Sequence, residues 1–365
     1  MSSRRIKIAV NTGGGDAPGL NAVIYAVTLA AELRGWDVYG IRMGYHGLLD
    51  TDEIVHLTPD KVQGIVSMGG TILGTTNKGN PFSMPVRNAV GDVDVRDVSD
   101  RVVENFKRLG LDVLVAIGGD GSLSIAHKFS QKGIPVVCVP KTIDNDLAAT
   151  VVTFGFDTAV STATDAIDKL HSTASAHERV LVVEVMGRYA GWIALNSGIS
   201  GSADVILIPE IPFDIDAVSR RIGDNELRGK HYGIVVVAEG AVPAGGGRIH
   251  KGGGEDGRQE VVLGGVGEFV AKAIAERTGK DTRAIVLGHL QRGGSPTTFD
   301  RLLALRFGAA AVRFIAEGKR NVMVAHRPPG MAAVPLEDVL GKMKTVPLDS
   351  DSILTARETG VCLGD

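Results

Sequence analysis

Three times in its first 150 residues the chain sets a short apolar run before a loop rich in glycine or aspartate. The runs are residues 6–10 (IKIAV), 113–117 (VLVAI) and 134–139 (IPVVCV). The loops that follow are 13–19 (GGGDAPG), 118–122 (GGDGS) and 140–146 (PKTIDND). Short, β-branched runs without alternation read as strands buried on both faces, which is the habit of parallel sheets. Helical periodicity follows two of the loops, over residues 20–33 and from just after Ser122 to about residue 132. Strand, glycine turn and helix make the repeating unit of an open α/β sheet. Ligands of such sheets bind outside the carboxyl ends of the strands.

The loops carry the chemistry. Glycine lets a backbone approach an anion with no Cβ in the way, and a helix N-terminus offers free N–H groups and the positive end of a dipole. Asp120 is unsuited to touching a phosphate and suited to holding Mg²⁺. In 140–146, an extended backbone would point Thr142, Asp144 and Asp146 to one side and Ile143 and Asn145 to the other. Two carboxylates on one side repel unless a proton or cation sits between them. That suits a metal site, or a general base beside a metal-held substrate. A plain Asp/Asn turn is the alternative for this loop, and a lone glycine loop is more often a tight turn than a phosphate cradle. Three such loops at strand ends favour phosphate chemistry.

A chain of 365 residues has room for two α/β domains. With 44% hydrophobic and 22% charged residues it has the balance of a soluble globular enzyme. A net charge of −3 argues against a nucleic-acid or membrane-surface protein. Cys138 and Cys362 are the two cysteines, the first within a predicted buried strand, so no disulfide framework and a reducing compartment are expected. The opening residues lack a signal-peptide core, and no apolar run approaches a membrane span. The expectation is a cytoplasmic enzyme with no nucleic-acid or membrane partner. Further strands are predicted at 38–41, 180–185, 205–208, 233–238 and 283–287, and helices at 159–174, 262–277 and 299–317. Residues 245–257 (GGGRIHKGGGEDG) read as a surface loop in which Arg248, His250 and Lys251 could meet phosphate. The tail from Asn321 carries no chemical signal.

Seven motifs lie in one order along the chain: GGGDAPGLN (13–21), GGTILG (69–74), GGDGS, PKTIDND, EVMGRYAGW (184–192), AEG (238–240) and LGHLQRGGSP (287–296). Together they resemble the 6-phosphofructokinases of the ATP/pyrophosphate-dependent superfamily, over roughly residues 6–320. The resemblance implies two Rossmann-like three-layer α/β domains with mostly parallel sheets. Residues 1–155 with about 292–340 would bind the donor, and 156–291 with the C-terminal tail the sugar phosphate. The implied reaction is transfer from ATP–Mg²⁺ to the 1-hydroxyl of fructose 6-phosphate, giving fructose 1,6-bisphosphate in glycolysis. Asp144 matches the catalytic base, with Thr142, Asp146 and Arg188 beside it, and Asp120 and Asp146 match the metal residues. Gly14, Asn77, Lys78, Gly119, Asp120, Gly121, Ser122 and Lys141 match donor positions. Arg179, Met186, Gly187, Arg188, Glu239, Arg283, His289 and Arg292, with Thr142 and Asp144, match sugar-phosphate positions.

Arg179 and Arg188 flank one predicted strand, and Arg283 and Arg292 flank another. One site cannot easily use both ends of a strand. The family resolves this with a homotetramer or homodimer in which Arg179 and Arg283 reach a neighbour's site. Gly121 is the choice of ATP enzymes and Lys141 that of pyrophosphate enzymes. The combination resembles an ATP-dependent branch, with pyrophosphate as the alternative donor. NAD kinases and lipid kinases share GGDG but lack PKTIDND and MGR. A dehydrogenase is disfavoured because residues 13–19 lack GxGxxG spacing to a ribose-binding acid, where Ile41-Arg42 stands. A non-catalytic subunit should have lost the base or the metal residue, yet Asp120, Asp144, Asp146 and Arg188 are all present. A kinase of the same fold for another sugar phosphate is a further alternative; Arg179, Arg283 and Arg292 argue for a phosphorylated acceptor over a free sugar.

Overall fold

The computed structural model describes residues 4–87, 93–249 and 263–365. Its strands are β1 Lys7–Thr12, β2 Asp37–Ile41, β3 Ile54–Leu57, β4 Met84–Arg87, β5 Val93–Arg96, β6 Val113–Gly118, β7 Val136–Pro140, β8 Val180–Val185, β9 Val205–Leu207, β10 Gly233–Ala238, β11 Thr282–Val286, β12 Val322–Arg327 and β13 Gly330–Pro335. The helices are α1 Leu20–Glu32, α2 His46–Leu49, α3 Ser99–Arg108, α4 Asp120–Gln131, α5 Phe156–His177, α6 Trp192–Ser200, α7 Ile215–Leu227, α8 Val266–Thr278, α9 Thr298–Ala316 and α10 Asp351–Glu358.

Among the described residues the larger sheet runs β13-β12-β7-β6-β1-β2-β3. Its interior pairs are parallel, and the antiparallel strands β3 and β13 close its two edges. The apolar runs are buried on both faces, as their composition predicts. Ile8, Val10, Val113, Val115 and Ile117 pack with α1 and α9 on one face. Ala9, Leu114 and Ala116 pack with α3 and α4 on the other. From β1 the chain first builds outward through β2, then returns to place β6 on the opposite side. That reversal leaves a crevice at the carboxyl ends of β1 and β6, where a ligand can enter between diverging connections.

The second sheet, β11-β8-β10-β9, is parallel throughout. Leu181, Val183 and Val185 face α5 and α6, whereas Val180 and Val182 face α7 and α8. The chain crosses between the sheets more than once. After β11 it returns through α9 to supply β12 and β13 to the first sheet. It then crosses again, and Ile353, Ala356 and Leu363 join the core of the second.

Several local readings differ from the structure. Helix α4 begins at Asp120 rather than after Ser122, because Gly119 ends the strand and the short polar residues tolerate a first helical turn. Loop 140–146 is not extended: Asn145 has φ of 52°, the left-handed region that asparagine tolerates best among residues with a Cβ. Helix α8 begins at Val266, with Glu184 accepting from the N–H groups of Gly265 and Gly267 at its start. His250 and Lys251 lie outside the described residues.

Candidate active site

The first glycine loop and the GGDG loop are laced together at the crevice. The Gly13 N–H donates to the Ile117 carbonyl at 2.9 Å. Ser122 Oγ would stand 2.7 Å from a Cβ at Gly13, so a side chain there would have to displace the Ser122 hydroxyl. The Thr75 hydroxyl donates to Gly14 O at 2.6 Å, which brings the loop of Asn77 and Lys78 alongside, with both of those side chains exposed. Helix α4 starts at Asp120 with Gly119 as an N-cap that makes no side-chain bond. The first-turn N–H groups of Asp120, Gly121 and Ser122 therefore have no helical carbonyl to bond. A Cβ on Gly121 would meet nothing within 4 Å. Lys141 follows β7, and its buried ammonium donates to the Gly15 carbonyl. Burial, with the Arg292 charge second, pulls Lys141 down to about 8.

Loop 140–146 lies beside these two. The Asp144 N–H donates to Thr142 Oγ1 at 3.1 Å, and Thr153 Oγ1 donates to the Thr142 carbonyl at 2.7 Å. Asp144 is 4% exposed, and its Oδ1 is buried with no hydrogen-bond partner. Burial, then the Asp146 charge, pushes the Asp144 carboxyl up, while Arg292 and Arg188 pull it back. Asp146 is also raised by burial, with the Thr142 hydroxyl and Arg188 opposing and Asp120 adding to the rise. The three carboxylates thus share one field with two guanidinium groups.

The second sheet supplies the other wall. Met186, Gly187 and Arg188 follow β8, and Glu239 follows β10. The Arg188 N–H donates to Glu239 Oε1 at 3.1 Å. A Cβ on Gly240 would overlap the Arg188 carbonyl oxygen, so the AEG loop closes onto the MGR loop only as glycine. The Met186 N–H faces Gln291 Oε1 at 3.4 Å. Gln291 lies in the 3₁₀ turn Gly288–Arg292, which also carries exposed His289. Arg292 reaches across to the first sheet, donating to the Asp16 carbonyl at 3.0 Å.

The structure therefore brings together Asp120, Lys141, Thr142, Asp144, Asp146, Arg188, Glu239 and Arg292, with the glycine loops around Gly14 and Gly119. It does not bring Arg179 and Arg283 to them. Those two lie at the amino ends of β8 and β11, and both grip Asp281: Arg179 Nε at 2.6 Å and Arg283 Nη1 at 2.5 Å. The six residues of β8 put ~17 Å between its two ends.

Sequence reading missed Lys344. Its ammonium donates to Asn145 Oδ1 at 2.7 Å, Val151 O at 2.9 Å and Thr150 O at 3.1 Å. Burial pulls it down to about 8. In GKMKTVP (341–347) nothing marks Lys344 out from Lys342, and its partners lie nearly two hundred residues away. Glu210 was missed as well. Its carboxylate accepts from the N–H of Gly191, just beyond Arg188, and from that of Val346.

A divalent ion has two carboxylates to meet, Asp120 and Asp146, each within electrostatic reach of the other. Among the described residues no group of three or more His, Cys, Asp or Glu converges. That donor set does not make a closed protein cage. It fits Mg²⁺, which commonly takes one or two carboxylates and draws its remaining ligands from water and substrate phosphates.

The phosphofructokinase family model matches residues 7–315. The chain is 50% identical to the ATP-dependent 6-phosphofructokinase of Chloroflexus aggregans over 365 residues, covering 100% of this chain and 99% of that one. It is 49% identical to the pyrophosphate–fructose 6-phosphate 1-phosphotransferase of Amycolatopsis methanolica over 343 residues, covering 94% and 96%. Among solved structures, Pichia pastoris phosphofructokinase in the T-state superposes with a TM-score of 0.79 at 33% identity, covering 92% of this chain and 35% of that longer one. With loops at the carboxyl ends of two parallel sheets meeting around a buried aspartate, and with relatives of this similarity along its full length, the chain belongs to the phosphofructokinase family.

Proposed function

We propose that the protein transfers the terminal phosphoryl group of ATP to the 1-hydroxyl of fructose 6-phosphate, giving fructose 1,6-bisphosphate, as a glycolytic enzyme of the cytoplasm. The observation that carries this reading is Asp144: a buried carboxylate with an unpartnered Oδ1, set where the loops of the two sheets meet and flanked by Arg188 and Arg292. In this reading residues 1–155 with 292–340 hold the donor, and 156–291 with the tail hold the sugar phosphate. Asp144 takes the proton from the 1-hydroxyl as that oxygen bonds to phosphorus and ADP departs. Thr142 holds the loop that aims it. Arg188 offers charge to the phosphoryl oxygens. Gly119, Gly121 and Ser122 present backbone N–H groups to the donor, Gly14 lets the backbone pack against its phosphates with no Cβ in the way, and Asn77, Lys78 and Lys141 add side chains. Asp120 and Asp146 would hold Mg²⁺, which supplies positive charge to the donor phosphates when bound. Met186, Gly187 and Glu239 meet the sugar, and His289 and Arg292 meet the 6-phosphate.

Arg179 and Arg283 serve the site of a neighbouring subunit in a homodimer or homotetramer. Their position at the far ends of β8 and β11 supports this, since neither can reach Arg188 within one chain. The open space at Gly121 and the ATP-dependent relatives favour ATP. Pyrophosphate is the second reading, favoured by the ammonium of Lys141 on the glycine loop and by the Amycolatopsis relative. Turnover of fructose 6-phosphate and of free sugars, each with ATP and with pyrophosphate, separates these readings. Faster turnover with ATP supports the first. Pyrophosphate at least as good as ATP replaces it with the second, and phosphorylation of free sugars alone overturns both.

A further inference from the structure

Residues 343–346 form a strap that touches both walls of the site. Met343 pairs with Leu147, and the Lys344 N–H donates to the Asp146 carbonyl at 2.8 Å. On the other side, Trp192 Nε1 donates to the Lys344 carbonyl at 2.9 Å. The Val346 N–H donates to Glu210 Oε1 at 2.8 Å, and Glu210 also accepts from the N–H of Gly191 at 3.0 Å. Four residues thus bond to the turn that carries Asp144 and Asp146 and to the segment that follows Arg188.

Lys344 is the pin of this strap. Its three oxygen partners match the three donors of an ammonium group. Asn145 Oδ1 receives a second bond from the Thr153 N–H at 3.2 Å, so the amide oxygen is fixed from two directions. Asn145 is the residue in the left-handed conformation, and it stands between the two aspartates. An unusual backbone conformation persists where its surroundings over-determine it.

We propose that Lys344 is a positioning residue for phosphoryl transfer: through Asn145 it fixes the turn that aims Asp144, and through the strap it sets the spacing of that turn from Arg188. This rests on the reading of Asp144 as the base. Lys344 itself bonds to oxygens of the loop and not to reacting groups. Its loss acts by letting the loop relax, and a displacement of about 1 Å can lower a rate by about 10²-fold.

The test uses the full-length protein with Lys344→Met, Asn145→Ala and the double variant, assayed per folded site well below the melting temperature. Lys344→Met is expected to lower kcat by about 10- to 100-fold while KM for fructose 6-phosphate and ATP stays within about threefold. Asn145→Ala should do likewise, and the double variant should be no more than about threefold worse than the poorer single one, because both remove the same restraint. A purely structural lysine would lower the melting temperature without this split. The inference is overturned if Lys344→Met keeps kcat within about twofold, if the loss falls on KM, or if the two losses multiply in full. Should the methionine variant not fold, Lys344→Gln keeps a donor without the charge and is judged by the same criteria. Asp144→Ser is measured in parallel. A loss there with none for Lys344→Met overturns this inference alone, whereas parent-like activity of Asp144→Ser overturns the reading of the base and this inference with it.

Discussion

Gly121→Asp separates folding from donor recognition. Position 121 is in the first turn of α4, one residue after Asp120, and a Cβ there would meet nothing within 4 Å. The fold therefore loses no packing. Replacing a helical glycine removes a penalty of about 1 kcal/mol, from which aspartate's own weaker propensity subtracts most. A carboxylate in a first helical turn gains ~0.3–1 kcal/mol from the dipole, and repulsion from Asp120 offsets part of that. The melting temperature should stay within a few degrees of the parent's. The donor fares differently. A unit charge about 5 Å from a phosphate oxygen, at an effective dielectric constant of about 20, costs roughly 332/(20 × 5), or about 3 kcal/mol, which is a factor of a few hundred. The assay is kcat/KM for ATP and for pyrophosphate, with a thermal melt of each protein. ATP should lose about 10²-fold or more, and any pyrophosphate reaction should lose clearly less, because the ATP reading sets the α-phosphate beside residue 121 and pyrophosphate has none. If ATP turnover falls by less than about tenfold, Gly121 is not beside the nucleotide phosphates. If the melting temperature collapses, the space at Gly121 was misjudged.

Asp144→Ser should lower kcat by about 10²–10⁴-fold with KM for fructose 6-phosphate little changed, and a kcat within about threefold of the parent refutes its role as base. Because burial and Asp146 raise Asp144, activity at saturating metal should fall in acid with a midpoint above the ordinary 3.8, and a midpoint at or below that value contradicts the burial argument. Arg292→Ala should act mainly on KM for fructose 6-phosphate, since the 6-phosphate is remote from the reacting hydroxyl; an unchanged KM rules that role out. Asp300 is a buried carboxylate that accepts from the Thr158 N–H at 2.8 Å and the Thr158 hydroxyl at 2.6 Å, and burial pushes it up to about 6 from 3.8. The fold then holds its proton more tightly than the unfolded chain does, so its contribution is full below 3.8 and is lost as pH rises through about 6. Asp300→Asn should gain on the parent by up to about 3 kcal/mol between pH 4 and pH 7 in urea unfolding, and parallel stability curves would sink the idea.

The strands were legible because parallel sheets buried on both faces demand unbroken apolar runs, and β6, β8 and β10 stand where those runs do. The loops were legible because close approach to an anion demands glycine, a local requirement that leaves a local trace. What escaped was set by distant partners. The start of α5 at Phe156 was hidden by its polar first turn, whose Thr158 hydroxyl and N–H bond to Asp300 across the chain. For the bend at Asn145 the Asp/Asn composition leaves a turn and an extended run both open, and nothing within seven residues decides between them. Thr153 and Lys344 impose the bend. Lys344 itself was invisible for the same reason, since its partners are two backbone carbonyls and one amide oxygen.

The repeated crossing between the sheets has a consequence for how the molecule is made. The Asn321 N–H bonds to Val136 O, and the Cys362 N–H bonds to Asp204 O. A chain still being synthesised, and stopped before residue 321, has β7 without its neighbour β12 and leaves the second core open where Ile353, Ala356 and Leu363 will sit. Both layers wait on residues beyond 320 for their last packing. Contacts of such sequence separation form late and slowly, because the closure of long loops must precede their reward. Until β12 is made the β7 edge is open to other chains, and until residues 353–363 are made a face of the second core is open as well. The arrangement that carries the two walls of one site on a single thread thus leaves that thread open to aggregation until its late segments have joined both layers.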